Sequence, residues 1–196
     1  MTMTTSRAGF FSLGAKGGLA LVAGGSLLGV AAGPALGQGA GDVDIAKLAA
    51  TAELLAIDVY GRAIDTGLFE GDVLAYMQAA RQNEQDHYDA LAGVLGMDAP
   101  KDVAFTYPAG TFASAESIAA TGVALETAFV GAYIGAVEAL QSVELKAVAA
   151  QIGANEAQHL TTFKRLEAGG TLVPNPSFPK ALTAAQATKA VTPFLA

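Results

Sequence analysis

Residues 83–88 read "NEQDHY" and residues 155–160 read "NEAQHL". Each stretch places a Glu three residues before a His: Glu84 with His87, and Glu156 with His159. These are the only two histidines in the chain. Positions i and i+3 share one face of a helix. Met77, Ala80, Leu91 and Val94 continue the first pair in steps of three and four. Leu145, Ala149, Ile152, Phe163 and Leu166 do the same for the second. Both motifs therefore lie in the apolar stripe of a helix, the stripe that faces a core. With nine Glu in the chain, composition alone would place one three residues before both histidines in roughly 0.2% of cases.

Working outward, helical periodicity covers four segments between residues 42 and 168. The first runs over about 43–66, with Ile45, Ala49, Ala52, Ala56, Val59 and Ala63 on one stripe, and ends at Gly67. The second, about 71–96, opens at Gly71-Asp72 and closes at Gly96. The third, about 114–140, has Ser114 as its N-cap and Glu116 in its first turn. The fourth, about 142–168, is capped by Ser142, carries Lys164 and Arg165 at its negative end, and stops at Gly169-Gly170. Short turns at 67–71 and near 141 predict two antiparallel hairpins. The connection 97–113, with Pro100 and Pro108, is long enough to run along the bundle. The fold class is all-α: a four-helix bundle of two hairpins joined by a long crossover. The one alternating stretch, "DVAFTY" at 102–107, cannot make a sheet by itself.

The second hairpin copies the first. Glu53 to Glu126 and Tyr60 to Tyr133 are 73 residues apart; Glu84 to Glu156 and His87 to His159 are 72 apart. Glu53 is in line with Ala49, Ala56 and Tyr60, and Glu126 with Val123, Phe129, Val130 and Tyr133. Four carboxylates and two imidazoles thus face one interior. A buried, unpaired carboxylate costs several kcal/mol. Two divalent cations would cancel all four charges and use all six side chains as ligands. The competing reading is a bundle that keeps these residues protonated or solvated without metal. Tyr60 and Tyr133 are read first as core tyrosines with hydroxyls satisfied at the bundle's edge. Second, they are partners of a ligand across the bundle or electron carriers. Asp58 and Asp86 are expected to face solvent, and Met77 to be core.

The net charge is −7, with 52% hydrophobic residues and no cysteine. Thiolate nucleophiles, zinc–thiolate sites, disulfides and iron–sulfur clusters are excluded. Arg7 and Lys16 are the only charges before Asp42, so the rest of the chain holds 9 basic and 18 acidic side chains, a net of −9. Such a body does not suit a phosphate backbone, and no nucleic-acid partner is expected.

Residues 17–36, "GGLALVAGGSLLGVAAGPAL", follow the two basic residues and precede the small-residue run "ALGQGAG". This layout predicts an export signal over 1–40, cut between Gly37 and Gly41, and a periplasmic or extracellular protein. "SRAGFF" at 6–11 resembles the twin-arginine export consensus, with Ala8 in place of the second arginine. The general secretory route is the other option. A membrane role follows only if the segment stays uncleaved as an anchor; Gly content and Pro34 weigh against that. The domain reading is 1–40 signal, 41–168 bundle, and 169–196 a tail. In the tail "VPNPSFP" at 173–179 is extended and 180–191 forms a short helix.

At the six polar positions the chain resembles the ferritin-like superfamily, and in particular its export-associated desiccation-related branch. "AELLAIDVY" at 52–60, "LETAFVGAYIGA" at 125–136 and "IGANEAQHLTTFKR" at 152–165 carry the resemblance, which spans about 43–168. In di-iron and di-manganese bundles, one Glu from each of two helices joins a Glu-x-x-His from each of the other two. By position, the resemblance implies that Glu53, Glu84 and His87 bind one metal and Glu126, Glu156 and His159 the other. Glu84 and Glu156 would be the bridges. It implies a non-haem centre, iron before manganese, that reacts with oxygen or peroxide.

Three functions follow as expectations. The first is a redox enzyme that oxidises Fe(II) or removes peroxide in stress protection, with a di-manganese catalase as a variant. The second is a non-enzymatic metal-binding or desiccation-stress protein. The third is an interaction module using the 97–113 loop. A homodimer is left open, and a 24-subunit shell is not expected.

Overall fold

The computed structural model describes residues 40–196; the expected export segment lies outside the described residues. Four long helices account for most of that length: α1 (Ala40–Asp65), α2 (Gly71–Leu95), α3 (Ala115–Ala139) and α4 (Val143–Glu167). α1 packs along α2 and α3 along α4, so the two hairpins are those the sequence predicts. A short tail helix, α5 (Ala184–Val191), lies against α3 and α1.

The helix ends follow local chemistry. Ser114 Oγ accepts the backbone N–H of Ser117, and Ser142 Oγ that of Leu145. Each bond satisfies one of the orphan donors at a helix start. Gly67, at φ 68°, follows α1, and Gly96, at φ 58°, follows α2. Both are left-handed positions where a side chain would be strained.

Along α1 the buried stripe differs from the expected one in its first half. Ala46 and Ala50 are buried, while Ile45 and Ala49 are only half-buried. The cause is Asp42. Its buried carboxylate accepts the backbone N–H groups of Gln141 and Ser142, 2.8 Å each, at the turn between α3 and α4. This clamp turns the first face of α1 onto positions 42, 46 and 50. From Ala52 onward Ala56, Val59 and Ala63 are buried as expected.

Apolar side chains fill the bundle in two groups. One contains Leu55, Met77, Ile118, Phe129 and Phe163; the other contains Leu91, Leu95, Leu140, Leu145 and Ile152. Glu53, Glu84, Glu126 and Glu156 fall near the middle of their helices, between these groups. The crossover packs Phe105, Tyr107 and Phe112 onto the first group. Tyr107 donates to Asp58 Oδ2 at 2.6 Å, and Asp58 also accepts from Arg62 at 2.7 Å. Asp58 is therefore a half-buried anchor rather than a free surface acid. Asp86 is exposed and Met77 is core, as expected. "DVAFTY" makes one antiparallel bridge, Phe105 to Leu195, which pins the C-terminus to the crossover.

The tail crosses α3 where that helix has no side chains. Leu182 N–H donates to Gly131 O at 2.8 Å, and a methyl group at Gly135 would overlap the Leu182 carbonyl oxygen. Gly135→Ala is expected to lift residues 171–196 off the bundle, at a cost of about 1–3 kcal/mol, the usual range for overpacking. Limited proteolysis checks this: new cuts should fall within 171–183 and leave the bundle intact.

Candidate metal centre

α2 contributes Glu84 and His87, α4 contributes Glu156 and His159, and α1 and α3 contribute Glu53 and Glu126. The structure brings all six together. Both imidazoles turn Nδ1 inward. His87 Nδ1 lies 3.2 Å from Glu53 Oε2, 3.1 Å from Glu84 Oε2 and 3.1 Å from Glu156 Oε1. His159 Nδ1 lies 2.8 Å from Glu84 Oε1, 3.3 Å from Glu156 Oε2 and 3.9 Å from Glu126 Oε1. Glu84 and Glu156 thus each offer one oxygen to either histidine. Glu53 and Glu126 stand at opposite ends.

One Nδ1 carries at most one hydrogen, yet each faces three carboxylate oxygens. The excess is visible: Glu126 Oε2 is buried with no hydrogen-bond donor, and Glu84 Oε1 and Glu156 Oε1 have within reach only an Nδ1 that other carboxylate oxygens share. Unpaired acceptors of this kind are costly inside a protein. The donors fall into two sets of four whose atoms lie within 4.8 Å of one another. One is Glu53, Glu84, His87 and Glu156; the other is Glu84, Glu126, Glu156 and His159. Donors bonded at about 2.1 Å around a divalent ion stand about 3 Å apart, close to five of the six Nδ1–oxygen separations given above. The residues fit a pair of cations.

Electrostatics points the same way. Burial, and then repulsion from Glu156, push the Glu53 carboxyl well above the usual carboxylate range. Burial, with Glu156 and Glu84, does the same to Glu126. Burial opposes a charge on His87. Hydrogen bonds to Glu156, Glu53 and Glu84 outweigh it and push the imidazole up to about 12. His159 is likewise disfavoured by burial but raised by Glu156 and Glu84 to about 9. Burial would raise Glu156, but its bonds to His159 and His87 hold it down to about 2. Without metal, the cluster therefore gathers protons where positive charge is wanted.

The two tyrosines are not at the bundle's edge, so the first reading of them is corrected. Both are buried, and their hydroxyls cross between hairpins. Tyr60 on α1 donates to Glu126 Oε1 on α3 at 2.9 Å, and Tyr133 on α3 donates to Glu53 Oε1 on α1. The second reading, a hydrogen bond across the bundle to one of the clustered glutamates, matches this geometry. The two ends of the cluster differ. His87 is 13% exposed, while His159 is 1% exposed behind Tyr60, Tyr76 and Phe163.

A family model of the ferritin-like domain matches residues 41–168. The chain belongs to the ferritin-like family. A search among curated proteins finds no match to it. Within this ferritin-like bundle the buried Glu/His cluster could hold metal ions.

Sequence reasoning passed over Asn83. Its side-chain amide lies 3.3 Å from His159 Nε2, the ring nitrogen turned away from the carboxylates. The signal was present, since Asn precedes Glu in both repeats.

Proposed function

We propose that this is an exported ferritin-like protein with a non-haem dimetal centre that oxidises Fe(II) or removes peroxide in stress protection. The observation that carries the metal part is the crowding of three carboxylate oxygens on each Nδ1, with a further buried oxygen, Glu126 Oε2, left without any donor. In this reading Glu53 and His87 hold one ion, Glu126 and His159 the other, and Glu84 and Glu156 belong to both. Export rests on the basic start and apolar run of residues 1–40 alone.

A pair of redox-active ions would supply two electrons to dioxygen or peroxide; with peroxide, two protons are taken up and two waters leave. The protein's own part is positioning and charge control. Tyr60 and Tyr133 fix the terminal carboxylates by their hydroxyls, which limits how far Glu126 and Glu53 can swing. Tyr60, Tyr76 and Phe163 keep water from the His159 end, where the low dielectric strengthens each charge interaction. Reagents meet the centre at the His87 end, where the ring edge reaches solvent. Imidazole and carboxylate donors accept both iron and manganese, so the donor set favours neither.

The test is anaerobic loading of the purified protein with Fe(II), followed by air or peroxide. The expected result is two ions per chain and oxidation faster than that of free Fe(II), with one ion and the fast oxidation lost in His159→Ala. Oxygen evolution from peroxide with Mn(II) but not with Fe(II) would favour the catalase variant. Tight binding without turnover would favour a non-enzymatic metal-binding protein. Failure to bind Fe(II) and Mn(II) alike would overturn the proposal.

A further inference from the structure

A cavity of about 50 Å³ lies between α1, α3 and the tail. No charged side chain lines it, and its one hydroxyl, that of Tyr133, already donates to Glu53 Oε1. Tyr133 is therefore shared: its ring walls the cavity, and its hydroxyl ends on a carboxylate of the cluster. Two more of the walls, Ala49 and Ala52, stand one turn before Glu53 and directly before it on α1. The tail supplies Leu182 as a further wall, and the exposed Ala139 and Ala184 open the cavity to solvent.

These walls decide what the cavity can hold. A water inside needs two to four polar partners, and apolar cavities without them stay dry and take up apolar molecules. Peroxide would bury two hydroxyls with nothing to bond them, which is unfavourable. The volume is well below the roughly 150 Å³ that accommodates benzene, so an aromatic ring or an acyl chain is too large. A small apolar molecule such as dioxygen fits.

Building on the dimetal reading above, we infer that this cavity is a dioxygen site. Dioxygen enters beside the tail, rests against the Tyr133 ring and reaches the Glu53 end of the cluster from there. The His87 end, where the ring meets solvent, is left to hydrated ions and to peroxide.

The probe is xenon, an apolar sphere that occupies dry cavities. In the metal-free full chain, xenon under pressure should shift the methyl resonances of Ala52 and Leu182 saturably. Ala49→Leu and Ala132→Leu fill the cavity from α1 and from α3; each should abolish those shifts and still load two Fe(II). In the loaded variants, the dioxygen concentration for half-maximal oxidation should rise at least about tenfold, the low end of what one methylene changes in an apolar pocket. Oxidation by peroxide should be unchanged. In wild type, xenon should compete with dioxygen and not with peroxide, which tests the site even where a filled variant does not fold. Wild type that takes up no xenon, or whose oxidation by dioxygen is indifferent to xenon, would overturn the inference and leave the metal reading standing. So would filled variants that lose xenon but keep the wild-type dioxygen dependence, or that slow equally with peroxide. Wild type that takes up xenon yet binds no Fe(II) would overturn the metal reading, and the dioxygen role with it.

Discussion

Glu156→Ala should empty both metal positions, whereas Glu126→Ala should empty only one. Glu156 offers one oxygen to His87 and the other to His159, and it belongs to both donor sets. Its removal leaves each set with three donors and takes away the charge the two ions share. The loss per site should exceed the roughly 10–100-fold typical of groups outside the ligand shell. Glu126 belongs to one set only. Its removal also strands the Tyr60 hydroxyl, which costs about 1–3 kcal/mol as an unsatisfied buried donor. Metal analysis after anaerobic loading and desalting gives the answer. Two ions in wild type, none in Glu156→Ala and one in Glu126→Ala is the expected pattern. One ion retained in Glu156→Ala would contradict the shared role.

The metal-free protein should lose stability as pH rises, and metal should reverse the trend. Glu53, Glu126, His87 and His159 all have folded pKa values above their unfolded ones. Above the unfolded pKa of each, the native state holds a proton that the unfolded chain has released, so stability falls with pH. For the carboxyls this begins just above the usual carboxylate range. For His159 it runs from about 6.5 up to about 9, and for His87 up to about 12. Glu156, depressed to about 2, acts in the opposite sense, but only below the usual carboxylate range. Each displaced unit corresponds to about 1.4 kcal/mol, so a few kcal/mol should vanish between pH 6.5 and 9. That is a large share of the roughly 5–15 kcal/mol of a typical domain. Divalent ions displace these protons, and the stability they add should grow with pH. Thermal melts at pH 5.5, 7 and 8.5, with chelator and with Mn(II), measure both slopes. A chelated protein that becomes more stable on going to pH 8.5 would refute the charge assignment.

Much of this was legible before any coordinates, because it depends on local rules. Ser114 and Ser142 mark helix starts by their own hydroxyls, and Gly67 and Gly96 mark ends by their backbone freedom. The Glu-x-x-His pairs fall on one face by helical geometry alone. What depends on the partner across the bundle could not be read. Asp42 entered the sequence reading only as the first acidic residue, yet it caps a turn about a hundred residues away. That clamp moved the stripe from Ile45 and Ala49 to Ala46 and Ala50. Alanine on both flanks left periodicity nothing to distinguish them. The crossed tyrosine bonds came only as a second choice, since spacing along α1 does not say which residue of α3 stands opposite. Asn83 was missed because an asparagine beside a charged motif reads as an ordinary polar neighbour.

The crossed tyrosines make the two hairpins mutually dependent. Each hairpin carries a carboxylate whose hydroxyl donor belongs to the other, so a lone hairpin would expose a half-built, self-repelling cleft. The repeat thus ties its own copies together: a change in either tyrosine is felt in its sibling's half of the molecule.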